Sequence, residues 1–285
     1  MTAIVSARGL HKHYGSLRVL DGVDLNIEKG AIVGLIGPNG AGKTTLLKAL
    51  LGLCRFEGEL EVLGLDPRRQ RHDLSRQICF IADVSVLPRW LKAGQALELV
   101  RDIHPLFDMD RARSYLDQTR IPMNKKVAHL SKGMITQLYL ALVMAIDAPL
   151  LILDEPTLGL DILYRKKFYD HLIQDYHDRE RTIIVTTHQV EEIETLLTHL
   201  LFLKDGKLVL NTSMASVADE YCELMVPKDR AQAGRDLGPI GEREVFGRKL
   251  FLYKGVERDV LGRLGELHTP GIVDLYLALM KEDAA

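Results

Sequence analysis

Short apolar runs bounded by turn residues punctuate the chain. Ala31 to Ile36 follows Gly30, and Leu150 to Leu153 and Thr182 to Thr186 have the same texture. Runs this short and this apolar predict strands buried on both faces. Leu17 to Leu20 and Val23 to Ile27 also read as strands, with Asp21-Gly22 as the turn between them. Glu59 to Leu63 and Ile78 to Ala82 are further strands, and His199 to Lys204 and Lys207 to Leu210 form a hairpin on Asp205-Gly206.

Helical texture lies between these strands. A helix is expected over Lys43 to Leu51, and a largely helical stretch over Lys92 to Ile146. After Leu153, the spacing of Leu163, Tyr169, Leu172, Ile173 and Tyr176 puts them on one helical face. Strands alternating with helices predict an α/β protein with a mostly parallel sheet, with Lys92 to Ile146 inserted into it. Beyond about Thr212 the texture changes. Gly234 to Gly241 reads as a loop, Glu244 to Tyr253 as a strand, and Thr269-Pro270 as the cap and first position of a last helix. No repeat or low-complexity tract interrupts the 285 residues.

Composition narrows the class. With 47% hydrophobic residues and 37 basic against 39 acidic ones, the chain reads as an ordinary globular protein without the basic excess of a nucleic-acid binder. The run Arg68, Arg69, Arg71 reads as a solvated helix face. Cys54, Cys79 and Cys222 lie far apart with no C-x-x-C pair, which predicts free thiols in a reducing compartment. No secretory signal is expected at the N-terminus. The longest apolar run, Leu138 to Ile146, stops at Asp147, short of the roughly 20 residues of a membrane span.

Two motifs carry chemistry. Gly37-Pro38-Asn39-Gly40-Ala41-Gly42-Lys43-Thr44 matches G-x-x-x-x-G-K-[ST] between a buried strand and a helix. Small residues let successive backbone N–H groups curl around phosphate oxygens, and the helix N-terminus favours the anion. Lys43 is placed to reach the β- and γ-phosphates and the Thr44 hydroxyl to hold Mg²⁺, with Thr45 following in the same turn. The second motif, Leu150 to Glu155, is an apolar strand delivering two carboxylates at its C-terminal end. Alone, such a pair is commonly a helix cap. Beside a phosphate loop, Asp154 is expected to orient Mg²⁺ and Glu155 to act as general base toward water.

With these motifs in this order, the chain resembles the ABC ATPase family. Tyr14 stands where that family stacks an aromatic on adenine. Leu130-Ser131-Lys132-Gly133-Met134 falls at the place of the signature L-S-G-G-Q, with Ser131 and Gly133 matching and Lys132 and Met134 departing. Leu158-Gly159-Leu160-Asp161 matches the D-loop, and His188 the switch histidine that contacts γ-phosphate. A phosphate loop alone leaves kinases, GTPases and helicases open; the ordered set from Tyr14 to His188 excludes them. One departure stands out. The family usually has Gln at the end of the strand after the phosphate loop, and here Asp83 fills that place. Gln95 comes twelve residues later, at what reads as a helix start. Asp83 is expected either to meet the hydration shell of the metal or to face a permease and leave the metal alone.

The resemblance covers about residues 1–215. It implies a P-loop NTPase core of ABC type with an N-terminal antiparallel β subdomain and a helical insertion over about 92–146; beyond it, the strand and helix signals after Thr212 predict a small C-terminal α/β annex over 216–285. The resemblance further implies ATP and Mg²⁺ as ligands, and a head-to-tail homodimer with two ATP at its interface. Ser131 and Gly133 of one copy would close on the γ-phosphate held by Lys43 of the other. An integral membrane permease is the implied partner, and the place of work the cytoplasmic face of the membrane. The S-K-G-M signature and the end from Thr269 to Leu279 resemble the bacterial exporter-type subfamily. A soluble ABC ATPase without a membrane partner is the alternative. The single cassette and the lack of sustained heptads argue against it, and Glu155 and His188 argue against a module that binds ATP without hydrolysing it.

Overall fold

The computed structural model describes residues 3–81, 87–158, 160–179 and 181–280, the side chains of 175–179 excepted. Asp83 lies outside the described residues.

In chain order the elements are β1 Ala3–Tyr14, β2 Leu17–Glu28, β3 Ile32–Ile36, α1 Lys43–Leu50, β4 Glu57–Val62, α2 Arg71–Ser75 and β5 Ile78–Ile81. Then come α3 Ala93–Ile103, α4 Met109–Asp117, α5 Lys132–Met144, β6 Leu150–Asp154, α6 Ile162–Arg179, β7 Thr182–Thr186, β8 His199–Lys204 and β9 Lys207–Ser213. The rest comprises α7 Met214–Glu220, β10 Tyr221–Pro227, α8 Ala231–Arg235, β11 Gly241–Val245, β12 Arg248–Lys254, α9 Arg258–Gly262, β13 Glu266–His268 and α10 Ile272–Met280.

The central sheet runs β5-β6-β7-β3-β8-β9, parallel except for the β8–β9 hairpin. Every residue of β3, β6 and β7 is buried, because helices or a second sheet cover both faces. Alternate side chains serve the two faces. Val33, Leu35, Leu150, Ile152 and Ile184 pack toward α1 and the antiparallel sheet β2-β1-β4. Ile36, Leu151, Leu153, Ile183 and Val185 pack toward α5, α6 and α10. The helical insertion has its own core of Ala93, Ala96, Leu97, Ala112 and Leu116. Helix α5 serves both: Leu138, Ala141 and Leu142 face the insertion, while Leu140, Val143 and Met144 face the main core. That double duty explains the long apolar run from Leu138.

Several local expectations are corrected. Asp21-Gly22 is no turn: β2 continues through it, and the hairpin to β1 closes at Gly15-Ser16. Gly22 has φ +69 beside a register irregularity, so the glycine serves a kink inside a strand. Glu244 to Tyr253 is two strands joined at Phe246-Gly247, both with positive φ. The last helix starts at Ile272, with Thr269-Pro270 ahead of it. On α6, Leu163 is 62% exposed, while Phe168, Tyr169 and Leu172 are buried.

The C-terminal region has a definite fold. From β10 to β13 it reads β-α-β-β-α-β, with strand order β11-β12-β10-β13 and all pairings antiparallel. This is the ferredoxin-like arrangement. One face of the sheet, with Cys222, Leu224, Val226, Phe251 and Tyr253, closes under Ala231 of α8 and Leu261 of α9. On the other face, Tyr221 and Leu252 join Ile272 and Leu275 of α10 in the main core. Helix α10 is thus shared. Tyr276 meets Phe202 edge-on at 5.8 Å, and the N–H of Ile272 donates to Glu194 Oε1 at 2.9 Å. Glu194 follows the segment after His188, so α10 rests on the chain leaving the nucleotide site.

A charged clasp holds α10 to the sheet. Arg243 lies 2.7 Å from Asp274 and 3.3 Å from the buried Glu223. Burial first, then the neighbouring Asp274, push the Glu223 carboxyl from an ordinary 4.5 up to about 7, against the pull of Arg243. Between those pH values the folded chain binds the extra proton and the unfolded chain does not. Stability from this site is therefore full below about pH 4.5 and declines as pH rises to about 7, by at most about 3 kcal/mol. Glu223→Gln should flatten that slope in urea unfolding measured from pH 5 to 8. An unchanged slope would mean that Glu223 does not titrate there.

Candidate functional site

Strands β6, β7 and β3 are neighbours, and their C-terminal ends bring three segments together, as open parallel sheets do at ligand sites. The phosphate loop leaves β3 and enters α1. At Gly37 an added Cβ would lie 2.2 Å from the Leu203 carbonyl oxygen. At Gly42 φ is +107, and a Cβ would lie 2.6 Å from the Val19 carbonyl oxygen. Both positions require glycine. The turn of the β8–β9 hairpin braces the loop from below, since Gly206 N donates to the Ala41 carbonyl at 3.1 Å. Lys43 is buried, and its ammonium donates to the Gly37 and Pro38 carbonyls at 2.7 and 3.1 Å. Burial depresses its pKa, against the pull of Glu155 and Asp154. Asn39, Gly40 and Thr44 are exposed at the mouth of the loop, and Thr45 begins to turn inward.

Asp154 is nearly enclosed at 8% exposure, with both carboxylate oxygens engaged. Thr44 Oγ1 donates to Oδ2 at 3.0 Å, and Thr186 Oγ1 donates to Oδ1 at 2.6 Å. Glu155 turns out of the strand at φ +50, its N–H shared between the Thr186 carbonyl and hydroxyl. Its Oε1 lies 3.1 Å from His188 Nε2, and its Oε2 accepts from His188 N at 3.4 Å. Burial raises the Glu155 pKa above the ordinary range, while His188 and Lys43 oppose the rise. A carboxylate whose proton affinity is raised in this way, beside a histidine, has the chemistry to accept a proton from water.

The remaining predicted residues lie apart from this cluster. Ser131 caps α5 by accepting from Met134 N at 3.2 Å, and nothing crowds Gly133. Among the described residues, no hydrogen bond joins either to the phosphate loop. Asp161 caps α6, its Oδ1 accepting from Tyr164 N at 3.0 Å. Around it Leu158, Ile162 and Leu163 are exposed. Tyr14, 48% exposed, ends β1 with the Lys12 ammonium 4.4 Å from its ring centroid. Gln95 caps α3, accepting from Lys92 N at 3.0 Å, which accounts for it without a role at the site.

Thr186 is absent from the residues expected from sequence. The available signal was a hydroxyl ending an apolar strand, two residues before His188. Thr44 and Asp154 offer hard oxygen donors 3.0 Å apart, the chemistry Mg²⁺ prefers. Among the described residues no group of three or more His, Cys, Asp or Glu forms a metal cage. A magnesium ion that takes most of its oxygens from phosphate and water fits the two donors present.

The family described as ABC transporter matches residues 20–158. The chain is 32% identical over 306 residues to Nod factor export ATP-binding protein I of Cupriavidus metallidurans, covering 98% of each. It is 30% identical over 227 residues to ABC transporter ATP-binding protein YtrB of Bacillus subtilis, covering 79% of this chain and 77% of that one. A solved ATP-binding subunit of an ABC transporter superposes with TM-score 0.70 at 25% identity, over 76% of this chain and 92% of that one. The fold is also that of the dimeric bacterial cassette MJ0796, with TM-score 0.66 at 24% identity, over 74% of this chain and 98% of that one. The chain belongs to the ABC transporter ATP-binding family. It is a nucleotide-binding ATPase of the transporter type.

Proposed function

We propose that this chain drives an exporter, hydrolysing ATP as a head-to-tail homodimer docked on a separate membrane permease at its cytoplasmic face. The observation that carries the dimer is the division of the site. Lys43, Asp154, Glu155 and His188 converge within one copy, while Ser131 and Gly133 stand exposed or half-exposed on α5, unconnected to them. A second copy turned by a two-fold axis would supply them, with the exposed Leu158, Ile162 and Leu163 beside Asp161 at the contact. The export direction rests on the likeness to Nod factor export ATP-binding proteins along nearly the whole chain.

At the site, the loop from Gly37 to Thr45 and Lys43 would hold the phosphates, and Tyr14 the base. Thr44 and Asp154 would hold Mg²⁺, which supplies charge neutralisation at the phosphates. Glu155 takes a proton from water as the water oxygen bonds to the γ-phosphorus. The bond to the β–γ bridging oxygen breaks, releasing ADP and phosphate. His188 sits where it can steady Glu155 and the γ-phosphate together. Asp83 is proposed to join the metal's hydration shell; its side chain falls outside the described residues.

The permease face is proposed on the helical insertion. Leu99 and Ile103 lie one turn apart on α3, flanked by Trp90 and Leu106, all exposed. Trp90 and Ile103 are each 71% exposed, an unusual outlay of apolar surface. Among the described residues no helix is long and apolar enough to cross a membrane. Purified from its own membranes, the chain should bring down a polytopic protein that stimulates its ATPase. Trp90→Ala with Ile103→Ser should abolish that stimulation and leave basal turnover intact. Recovery without any polytopic protein would favour the soluble alternative.

A further inference from the structure

The Thr186 side chain is fully buried, yet it is polar, at the end of a strand whose middle carries Ile and Val. A hydroxyl can donate one hydrogen bond and accept others. Here it does both at once. It donates to Asp154 Oδ1 at 2.6 Å and accepts from Glu155 N at 3.1 Å. The register explains the fit: Asp154 and Thr186 are direct partners in the parallel ladder of β6 and β7. With Thr44 on Oδ2, the Asp154 carboxylate is fixed at both oxygens.

The second half of the bond matters for Glu155. A non-glycine residue at φ +50 is strained and persists only where its surroundings impose it. The Thr186 hydroxyl and carbonyl together hold the Glu155 N–H in that turn. The same strand then delivers His188 against the Glu155 carboxylate. Thr182, at the far end of β7, offers a contrast: its hydroxyl accepts from the N–H of Gly30, a structural tie.

We propose that Thr186 is a positioning residue for hydrolysis, its hydroxyl fixing the Asp154 carboxylate and the Glu155 backbone turn so that Glu155 is aimed at the attacking water. This rests on Asp154 and Glu155 being the hydrolytic carboxylates. Thr186 touches neither nucleotide nor water in this role, so its loss should leave nucleotide affinity nearly alone.

Thr186→Val keeps the shape and the strand preference and removes the hydroxyl. It should lower kcat roughly 10- to 100-fold, the scale of a lost hydrogen bond to a charged group. The Kd of a fluorescent ATP analogue should move less than about threefold on the same scale. Thr186→Ser and Thr186→Ala form a second pair that loses the same methyl and differs in the hydroxyl alone. Ser should turn over near the parent rate and Ala near the Val variant, even if both melt earlier. Equal kcat for Ser and Ala, or a fall in kcat matched by an equal fall in affinity, would overturn the role of Thr186. Glu155→Gln run alongside separates the layers. Should that variant hydrolyse like the parent, the assignment beneath the inference fails; with it inactive, the Ser and Ala comparison judges Thr186 alone.

Discussion

Glu155→Gln is expected to slow steady-state ATP turnover by roughly 10²- to 10⁴-fold, the usual contribution of a general base. The substitution keeps the size of the side chain and its capacity to accept from His188 N, 3.4 Å away. It removes the basic oxygen that burial has tuned upward. Nucleotide binding is proposed to rest on the loop between β3 and α1, so affinity should hold. A dimer that closes on ATP and cannot hydrolyse it should accumulate, visible as a doubled mass in size-exclusion chromatography with ATP. Turnover at the parent rate would remove Glu155 from the chemistry.

Lys43→Ala should act at the earlier step and weaken binding itself. The ammonium is the one cation whose bonds to Gly37 and Pro38 tie it directly into the loop, among the described residues. A hydrogen bond to a charged group is worth about 1.5–3 kcal/mol, so affinity should fall roughly 10- to 100-fold. Removing the side chain also strips the loop of a cross-brace, which adds to the loss. Lys43→Arg should not restore binding, because a larger planar group does not fit a buried pocket shaped for an ammonium. Titration with a fluorescent nucleotide tests both variants. An Ala variant that binds like the parent would mean the phosphates sit elsewhere.

The annex is packed into the body of the ATPase. Because Ile272 and Leu275 lie in the main core and Glu194 holds the start of α10, the region after Thr212 is not a detachable appendage. Truncation there would uncover Phe202 and its neighbours. The annex and the segment after His188 therefore share one packing unit, a physical route by which the two could influence each other.

The features legible in the residues alone are largely local. Gly37 to Thr44 announces its loop because only glycine tolerates the left-handed turn and the close backbone contacts found at Gly42 and Gly37. The buried strands were legible at Ile32–Ile36, Leu150–Asp154 and Thr182–Thr186 because burial on both faces demands unbroken apolar runs. The remaining features depend on how the elements pack. The hairpin at Phe246 and the kink at Gly22 turn on backbone angles that a strand-forming composition does not reveal. Leu163 fits a helical stripe by spacing, yet α6 leaves it exposed, because which side of a helix is covered depends on the neighbouring elements. The role of Thr186 came from strand order. Threonine at a strand end is unremarkable until β7 is placed beside β6, where its hydroxyl falls between one carboxylate and the backbone of the next residue.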